Sequence, residues 1–288
     1  MLTEAQVDQY RRDGYTVVPE FLSQDEGAGF LAGIEAVSKG NTKADHDGTR
    51  MEMEPDQPLE GTRVRRIYDP CTFYPVFRDL SESEKLLDCV AQLLGPDVLY
   101  HYSKINMKPP EIGSVVEWHQ DLAYYPLTNR DSLAVLFYLD GADVDNGCLQ
   151  MLPGRHEGEL LDHTTDGYFQ GRVTEAVGGS EAVRVEGAAG TAIFMHAMTP
   201  HASTANRSDR PRRTLILSYR AADAFPIYSG EMTGASEAYA RPVRGREFQA
   251  ARFTMASFPV PRYKRKTASL YELQELSREG QGQVKIKN

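Results

Sequence analysis

The sequence predicts a mainly β protein with flanking helices, folded as a double sheet of the jelly-roll or cupin kind. Two observations carry this. Short strand-like runs follow one another at close spacing, punctuated by Gly, Pro and Asn, which is the pattern of an all-β sandwich or barrel. The helical stretches gather ahead of those runs instead of alternating with them, which argues against a parallel βαβ sheet. The 288 residues suffice for one sizeable core, and no internal repeat or linker divides them. We read residues 1–288 as a single domain, with a core over about 60–222, a helical flank over 1–40 and a C-terminal extension over 223–288.

The elements follow in order. Thr3-Glu4-Ala5-Gln6 reads as a capping box opening a helix that ends near Gly14, and Tyr15-Thr16-Val17-Val18 as a strand. Ser23-Gln24-Asp25-Glu26 is a second capping box, for a helix with Phe30, Leu31 and Ile34 on one face and a stop at Lys39-Gly40. Residues 40–61 turn polar and acidic, and are expected to be a solvated loop or a lid. Thr62–Tyr68 reads as a strand of alternating arginines, either a solvated edge or a face turned to a carboxylate ligand. A helix opening at Ser81–Glu84 carries Leu86, Leu87, Val90, Leu93 and Leu94 and closes at Gly95-Pro96. Asp97–Met107 and Ser132–Asp140 are strand-like; Asn146-Gly147 marks a tight turn, and Cys148–Leu152 a return strand. Residues 157–180 have no clear period and read as an insertion over the mouth of a pocket. Val183–Val185, Thr191–Met198 and Arg213–Arg220 complete the strands; Leu270–Arg278 reads as a short helix and Gly280 onward as a loose terminus.

Composition narrows the function. Hydrophobic residues are 41% and charged residues 25%, with a net charge of −9. That balance disfavours nucleic acid and anionic membrane surfaces as partners. No apolar run has the length of a membrane span. The three cysteines, Cys71, Cys89 and Cys148, have no CxxC spacing, and the N-terminus lacks the basic start and apolar core of a signal peptide. Both features point to a cytoplasmic protein with reduced, buried thiols.

The chemistry concentrates in Trp118-His119-Gln120-Asp121. On an extended segment His119 and Asp121 point to the same face. Together they are two-thirds of a 2-His-1-carboxylate site, the arrangement that holds non-haem Fe(II) while leaving positions open for dioxygen and a co-substrate. His201 is the candidate third ligand, since a jelly roll brings distant strands side by side; His196, inside an apolar strand, is its rival. Arg212 or its neighbour Arg213 returns to the site if the strands 191–198 and 213–220 form a hairpin. An arginine fork matches a carboxylate such as the far end of 2-oxoglutarate. Ser203 faces the same way as His201 and has a hydroxyl to add. Histidines 101, 156 and 163 carry core, neighbouring or surface readings, and a lone strand lysine such as Lys104 commonly reaches for solvent.

The segments WHQDLAYYP, NGCLQMLPGRHEG and HASTANRSDRPRR together resemble the phytanoyl-CoA dioxygenase family, from the N-terminal helix and strand to about Arg220. The resemblance implies a double-stranded β-helix and an oxygenase using Fe(II), 2-oxoglutarate and dioxygen. It implies His119, Asp121 and His201 as metal ligands, Arg212 on the co-substrate carboxylate and Ser203 beside it. Lys104 and Phe137 fall at positions that line the co-substrate pocket in the family. The family's halogenases replace the metal carboxylate by a small residue, so the presence of Asp121 disfavours halogenation. Its ectoine hydroxylases differ around the first histidine, which sets that substrate aside.

The expected reaction is hydroxylation of an aliphatic C–H bond in a small molecule, a lipid-like acid, an acyl thioester or a secondary metabolite, with 2-oxoglutarate decarboxylated to succinate. No side-chain acid or base is required, because the cofactor carries the difficult chemistry. The substrate is expected under Tyr124, Tyr125 and the loops 40–61 and 157–180. Rivals are desaturation, cyclisation or epoxidation at the same centre, a non-catalytic cupin-like binding protein, and a zinc hydrolase on the same ligands, which would need a general base and has no use for Arg212.

Overall fold

The computed structural model describes residues 1–112, 115–177, 181–227, 239–262 and 270–279. The loose terminus expected from Gly280 lies outside them. Helix α1 (Glu4–Asp13) starts at the Thr3–Gln6 capping box and stops at Gly14, whose φ of 80° is left-handed. A side chain there would also collide with Thr199 Oγ1 and His156 Nδ1, so glycine is required twice over. Strand β1 (Tyr15–Val18) follows, then α2 (Gln24–Ser38), opened by the Ser23–Glu26 box.

The segment expected to be an unstructured loop contains β2 (Met51–Met53), which pairs with β3 (Val64–Tyr68). Met51 and Met53 are buried, and that burial holds so short a strand in place. Because β3 pairs with β2 on one side and β4 on the other, it is not a solvated edge. Arg65 and Arg66 are accordingly buried. Two short helices not anticipated from sequence, α3 (Pro70–Phe73) and α4 (Pro75–Ser81), each begin with the proline that suits a first helical turn. Helix α5 (Glu84–Leu94) buries Leu86, Leu87 and Val90 and ends at Gly95.

The remaining strands are β4 (Val98–Lys108), β5 (Val116–His119), β6 (Ser132–Tyr138), β7 (Leu149–Met151), the small hairpin β8 (Thr164–Thr165) and β9 (Tyr168–Phe169), β10 (Val183–Val185), β11 (Ala192–His196), β12 (His201–Ser203), β13 (Arg212–Ala221) and β14 (Arg241–Arg244). Among the described residues they form a large sheet in the order β1-β11-β6-β13-β4-β3-β2, with β14 also on β4, and a small sheet in the order β10-β7-β12-β5. All pairings within the two sheets are antiparallel. The double-sheet expectation holds, with two corrections to its wiring. Strand β7 does not return along β6 but crosses to the small sheet. Strands β11 and β13 do not form a hairpin, because β6 lies between them.

The large sheet is apolar on both faces. One face carries Ile105, Val135, Phe137, Phe194 and Leu215 and packs under the helices through Phe30, Ile34, Phe77 and Leu87. The other carries Leu136, Tyr138, Met195 and Ile216 and meets Leu149, Met151 and Val185 of the small sheet. The site lies in this second, inter-sheet layer. Helix α6 (Leu270–Glu279), foreseen as a helix, packs against β5. No helix among the described residues is long and apolar enough to cross a membrane.

Candidate metal centre

Strands β12 and β5 pair so that His201 stands directly opposite His119. Opposed side chains on one face of an antiparallel pair are nearest neighbours, and the two imidazole rings have centroids 4.0 Å apart. Gln120 stays extended (φ −119°, ψ 130°), so Asp121 comes to the same face as His119 before the chain turns into a single 3₁₀ turn over Asp121–Ala123. Asp121 Oδ1 lies 3.7 Å from His119 Nε2 and 3.9 Å from His201 Nε2. One ligand atom from each of the three residues lies within 4.8 Å of the others, and all three residues are buried.

The tautomers suit a cation. His119 Nδ1 sits 2.8 Å from the carbonyl of Glu117 and His201 Nδ1 3.0 Å from that of Thr199. A carbonyl only accepts, so each Nδ1 carries the proton and each Nε2 turns a lone pair toward Asp121. Burial lowers both imidazole pKa values, His119 the more strongly, which keeps the rings neutral and ready to ligate. Burial opposes the Asp121 charge, but the Lys104 charge, foremost, and the Tyr125 hydroxyl hold the carboxyl below its usual range. Two neutral imidazoles and a carboxylate on one face are a donor set that fits Fe(II).

These residues open onto a cavity whose polar lining includes Lys104, Asn106, Ser203, Arg212 and Thr214. Ser203 shares the inward face of β12 with His201. Arg212 opens β13 opposite Lys108 of β4. Arg213 points the other way and grips Asp140 with two bonds, of 2.9 and 2.7 Å, so of the two arginines it is Arg212 that lines the cavity. His196 is likewise removed from the site. Its ring lies 5.3 Å from that of His156 and 6.2 Å from that of Tyr10. Lys104 does not reach outward for solvent but lines the cavity. Burial lowers its pKa against the pull of Asp121.

Phe137 is a correction. It stands on the helix-covered face of β6, fully buried, 5.6 Å from the Phe21 ring. Leu136 lines the cavity in its place. A shift of one residue along a strand exchanges its two faces.

The aromatic loop closes behind the ligands. Tyr124 packs edge-on to His119 at 5.6 Å and donates its hydroxyl to the carbonyl of Gly171. The segment after β7 reaches the site at separate points, with Val173 N–H donating to Trp118 O at 2.7 Å and Leu161 N–H to Gln120 Oε1 at 2.8 Å. Three contributors escaped sequence reading. His163, which a polar neighbourhood suggested to be solvated, is buried and accepts from Gln120 N–H at 3.1 Å, between the two first ligands. Arg66 donates to Asn106 Oδ1 at 2.9 Å. Asn106 had a signal, since it stands two residues from Lys104 on the same strand face.

A jelly roll with a buried His-x-Asp and a facing distal histidine, beside an arginine-bearing cavity, is the layout of a non-haem iron oxygenase. Residues 10–214 match the model of the family described as phytanoyl-CoA dioxygenase (PhyH). A probable alpha-ketoglutarate-dependent hypophosphite dioxygenase of Stutzerimonas stutzeri is 34% identical over 76% of this chain and 79% of its own. A methylphosphonate hydroxylase of Gimesia maris is 31% identical over 76% of this chain and 81% of its own. Among solved structures, EctD from S. alaskensis with 2-oxoglutarate and 5-hydroxyectoine shares the fold with a TM-score of 0.64, at 25% identity over 77% of each chain. The chain belongs to the phytanoyl-CoA dioxygenase family. It is an iron- and 2-oxoglutarate-dependent dioxygenase that acts on a small molecule.

Proposed function

We propose that the chain hydroxylates a small oxyanion of phosphorus, at a C–H or P–H bond, with His119, Asp121 and His201 holding Fe(II). The observation that carries the substrate class is a second set of anion-binding groups in the cavity, apart from Arg212. Along the paired strands Arg212 faces Lys108, Thr214 faces Asn106 and Ile216 faces Lys104. Lys104 therefore stands four residues along β4 from the level of Arg212, on the side of Asp121. Arg66 holds the Asn106 carbonyl oxygen, which leaves the Asn106 amide N–H groups as donors beside the Lys104 ammonium. An ammonium with an amide donor suits a tetrahedral oxyanion. The two relatives named for hypophosphite and for methylphosphonate support the same class. Arg65 and Arg66 are buried and offer no surface patch for the phosphates of a coenzyme A thioester.

The division of labour follows. Arg212 and Ser203 receive the far carboxylate of 2-oxoglutarate. Lys104 and Asn106 draw in the substrate and orient it. When bound, the iron supplies the oxidising chemistry, in which one atom of dioxygen goes to succinate, formed with CO₂ from 2-oxoglutarate, and the other to the hydroxylated substrate. The buried wall of Leu136, Leu149, Met195 and Ile216 limits water in the cavity. We place the enzyme in the cytoplasm, in keeping with its three free, buried cysteines.

The test is succinate release from 2-oxoglutarate by the Fe(II)-loaded protein, with methylphosphonate, hypophosphite, and a neutral alcohol of similar size. Stimulation by a phosphorus oxyanion is expected. Lys104→Met should raise its KM by about 10- to 100-fold, the worth of a hydrogen bond to a charged group, and leave the KM for 2-oxoglutarate in place. Stimulation by the neutral compound alone, or a Lys104→Met effect confined to 2-oxoglutarate, overturns the assignment.

A further inference from the structure

Helix α6 lies beyond the part of the chain that matches the family model, which ends at residue 214, yet it is joined to the metal centre through buried polar contacts. Gln274 is fully buried. Its Oε1 accepts from the Glu117 N–H at 3.1 Å, and its Nε2 donates to the Gly171 carbonyl at 2.6 Å. Both partners lead to the ligand His119, Glu117 directly and Gly171 through Tyr124. The Glu117 carbonyl receives its Nδ1–H, and Gly171 receives the hydroxyl of Tyr124, whose ring packs against the His119 imidazole.

The neighbouring residues of α6 extend the clamp. Leu273 packs with Ala123 and Phe169. It comes so close to Gly171, at φ 65°, that a Cβ there would lie 2.8 Å from Leu273 Cδ2. Arg278, one turn on from Gln274, lies 3.4 Å from the Glu117 carboxylate. Ser277 accepts from Arg172 at 2.8 Å. Glu275 reaches the other sheet and pairs with Arg65 of β3 at 3.1 Å. Strand β5 is the outer strand of the small sheet in the pairing order, so α6 bridges that edge to β3 of the large sheet.

We propose that Gln274 is a positioning residue of the oxygenase, and that α6 is a strap fixing the metal-bearing edge of the small sheet. It acts through Glu117 and Gly171 on the orientation of His119, and touches neither metal nor substrate. This rests on the reading of His119, Asp121 and His201 as the metal set. Outer partners that orient a ligand histidine typically govern metal affinity about 10- to 100-fold. Gln274 stands one link further out, so an effect of about three- to tenfold is expected.

The experiment is anaerobic titration of the full-length apoprotein with Co(II), a spectroscopically visible substitute for Fe(II), comparing wild type with Gln274→Leu and Gln274→Glu. Leu removes both bonds. Glu keeps the acceptor for Glu117 N–H and loses the donor to Gly171. Co(II) binding weakened about three- to tenfold by Leu, with an altered visible spectrum and partial recovery in Glu, is the expected result. A folded Gln274→Leu protein with wild-type affinity and spectrum overturns the proposal. A variant that fails to fold leaves a second measurement on wild type alone. Coupling is reciprocal, so Co(II) must slow amide hydrogen exchange at Glu117 and over residues 273–278. Unchanged exchange there on metal loading overturns the strap equally. Absence of Co(II) binding by the wild type would instead refute the metal reading on which the strap depends.

Discussion

The two sheets divide the site between them, and they do so by length. The small sheet is made of strands three or four residues long, and His119 and His201 stand at the ends of two of them. Such strands end at once in turns, as at Asp121, and can gather three donors around a point. The large sheet contributes β4 with 11 residues and β13 with 10, paired in one register from Arg212 to Ser218. Strands of that kind set polar groups at fixed intervals along a wall, as with Lys104, Asn106 and Lys108 opposite Ile216, Thr214 and Arg212. In the proposed function, the small sheet holds the metal and the large sheet sets the distance between two anions.

The largest effect tests the small sheet. His201→Ala takes away one of the three proposed ligands and leaves an incomplete face. Fe(II) affinity should fall by more than about 100-fold, beyond what loss of an outer partner costs, and succinate release should fall to background. Calorimetry under argon checks the first and a succinate assay the second. Retained tight iron binding in this variant would move the metal off this sheet, and His196 would then need to be revisited.

A smaller effect tests the large sheet. Arg212→Gln should raise the KM for 2-oxoglutarate about 10- to 100-fold and leave iron affinity unchanged. Phe137→Ala, on the opposite face of the same sheet, should cost about 3–5 kcal/mol of stability, with no change in that KM once measured well below the melting transition. If Arg212→Gln weakened iron as severely as His201→Ala, the division of labour between the sheets would be lost.

This contrast also explains what could be read in advance. His-x-Asp is a local relation, fixed by the two-residue period of an extended chain, and it survives into the structure unaltered. The capping boxes at Thr3 and Ser23 are local too. The resemblance placed Phe137 one position off, and the strand itself could not correct it, because Leu133–Leu139 is apolar and buried throughout; a strand without alternation carries no mark of its phase. Arg212 and Arg213 posed the same problem of phase, decided by Asp140, far away in sequence. Arg65 and Arg66 could be read as a solvated edge or as a ligand-facing pair, because their partners Glu275 and Asn106 are brought in only by the fold. Helix α6 was legible as a helix, whereas its docking on Glu117 and Arg65 was not, since nothing in an amphipathic segment says which surface it covers.

The last effect concerns Gln120, which joins His119 to Asp121, and the loop behind it. His163 Nδ1 lies 2.7 Å from the Leu161 carbonyl, and its Nε2 accepts from Gln120 N–H. Both bonds together require a neutral ring, and burial presses the imidazole down to about 4. The unfolded chain takes up this proton near the ordinary value of 6.5. Between those limits the unfolded state binds more protons, so stability falls as the pH drops through the window and the loss levels off below it. His163 accounts for at most about 3 kcal/mol of that fall. Urea unfolding of wild type and His163→Gln from pH 7.5 to 4.5 checks it, the glutamine offering an acceptor to Gln120 without a titrating group. The other buried histidines contribute equally to both proteins, so the difference between the two curves belongs to position 163. The wild-type curve should be the steeper between pH 6.5 and 4.5. Parallel curves would mean that His163 titrates normally in the folded protein, and that the Gln120 amide between the two first ligands is held by something else.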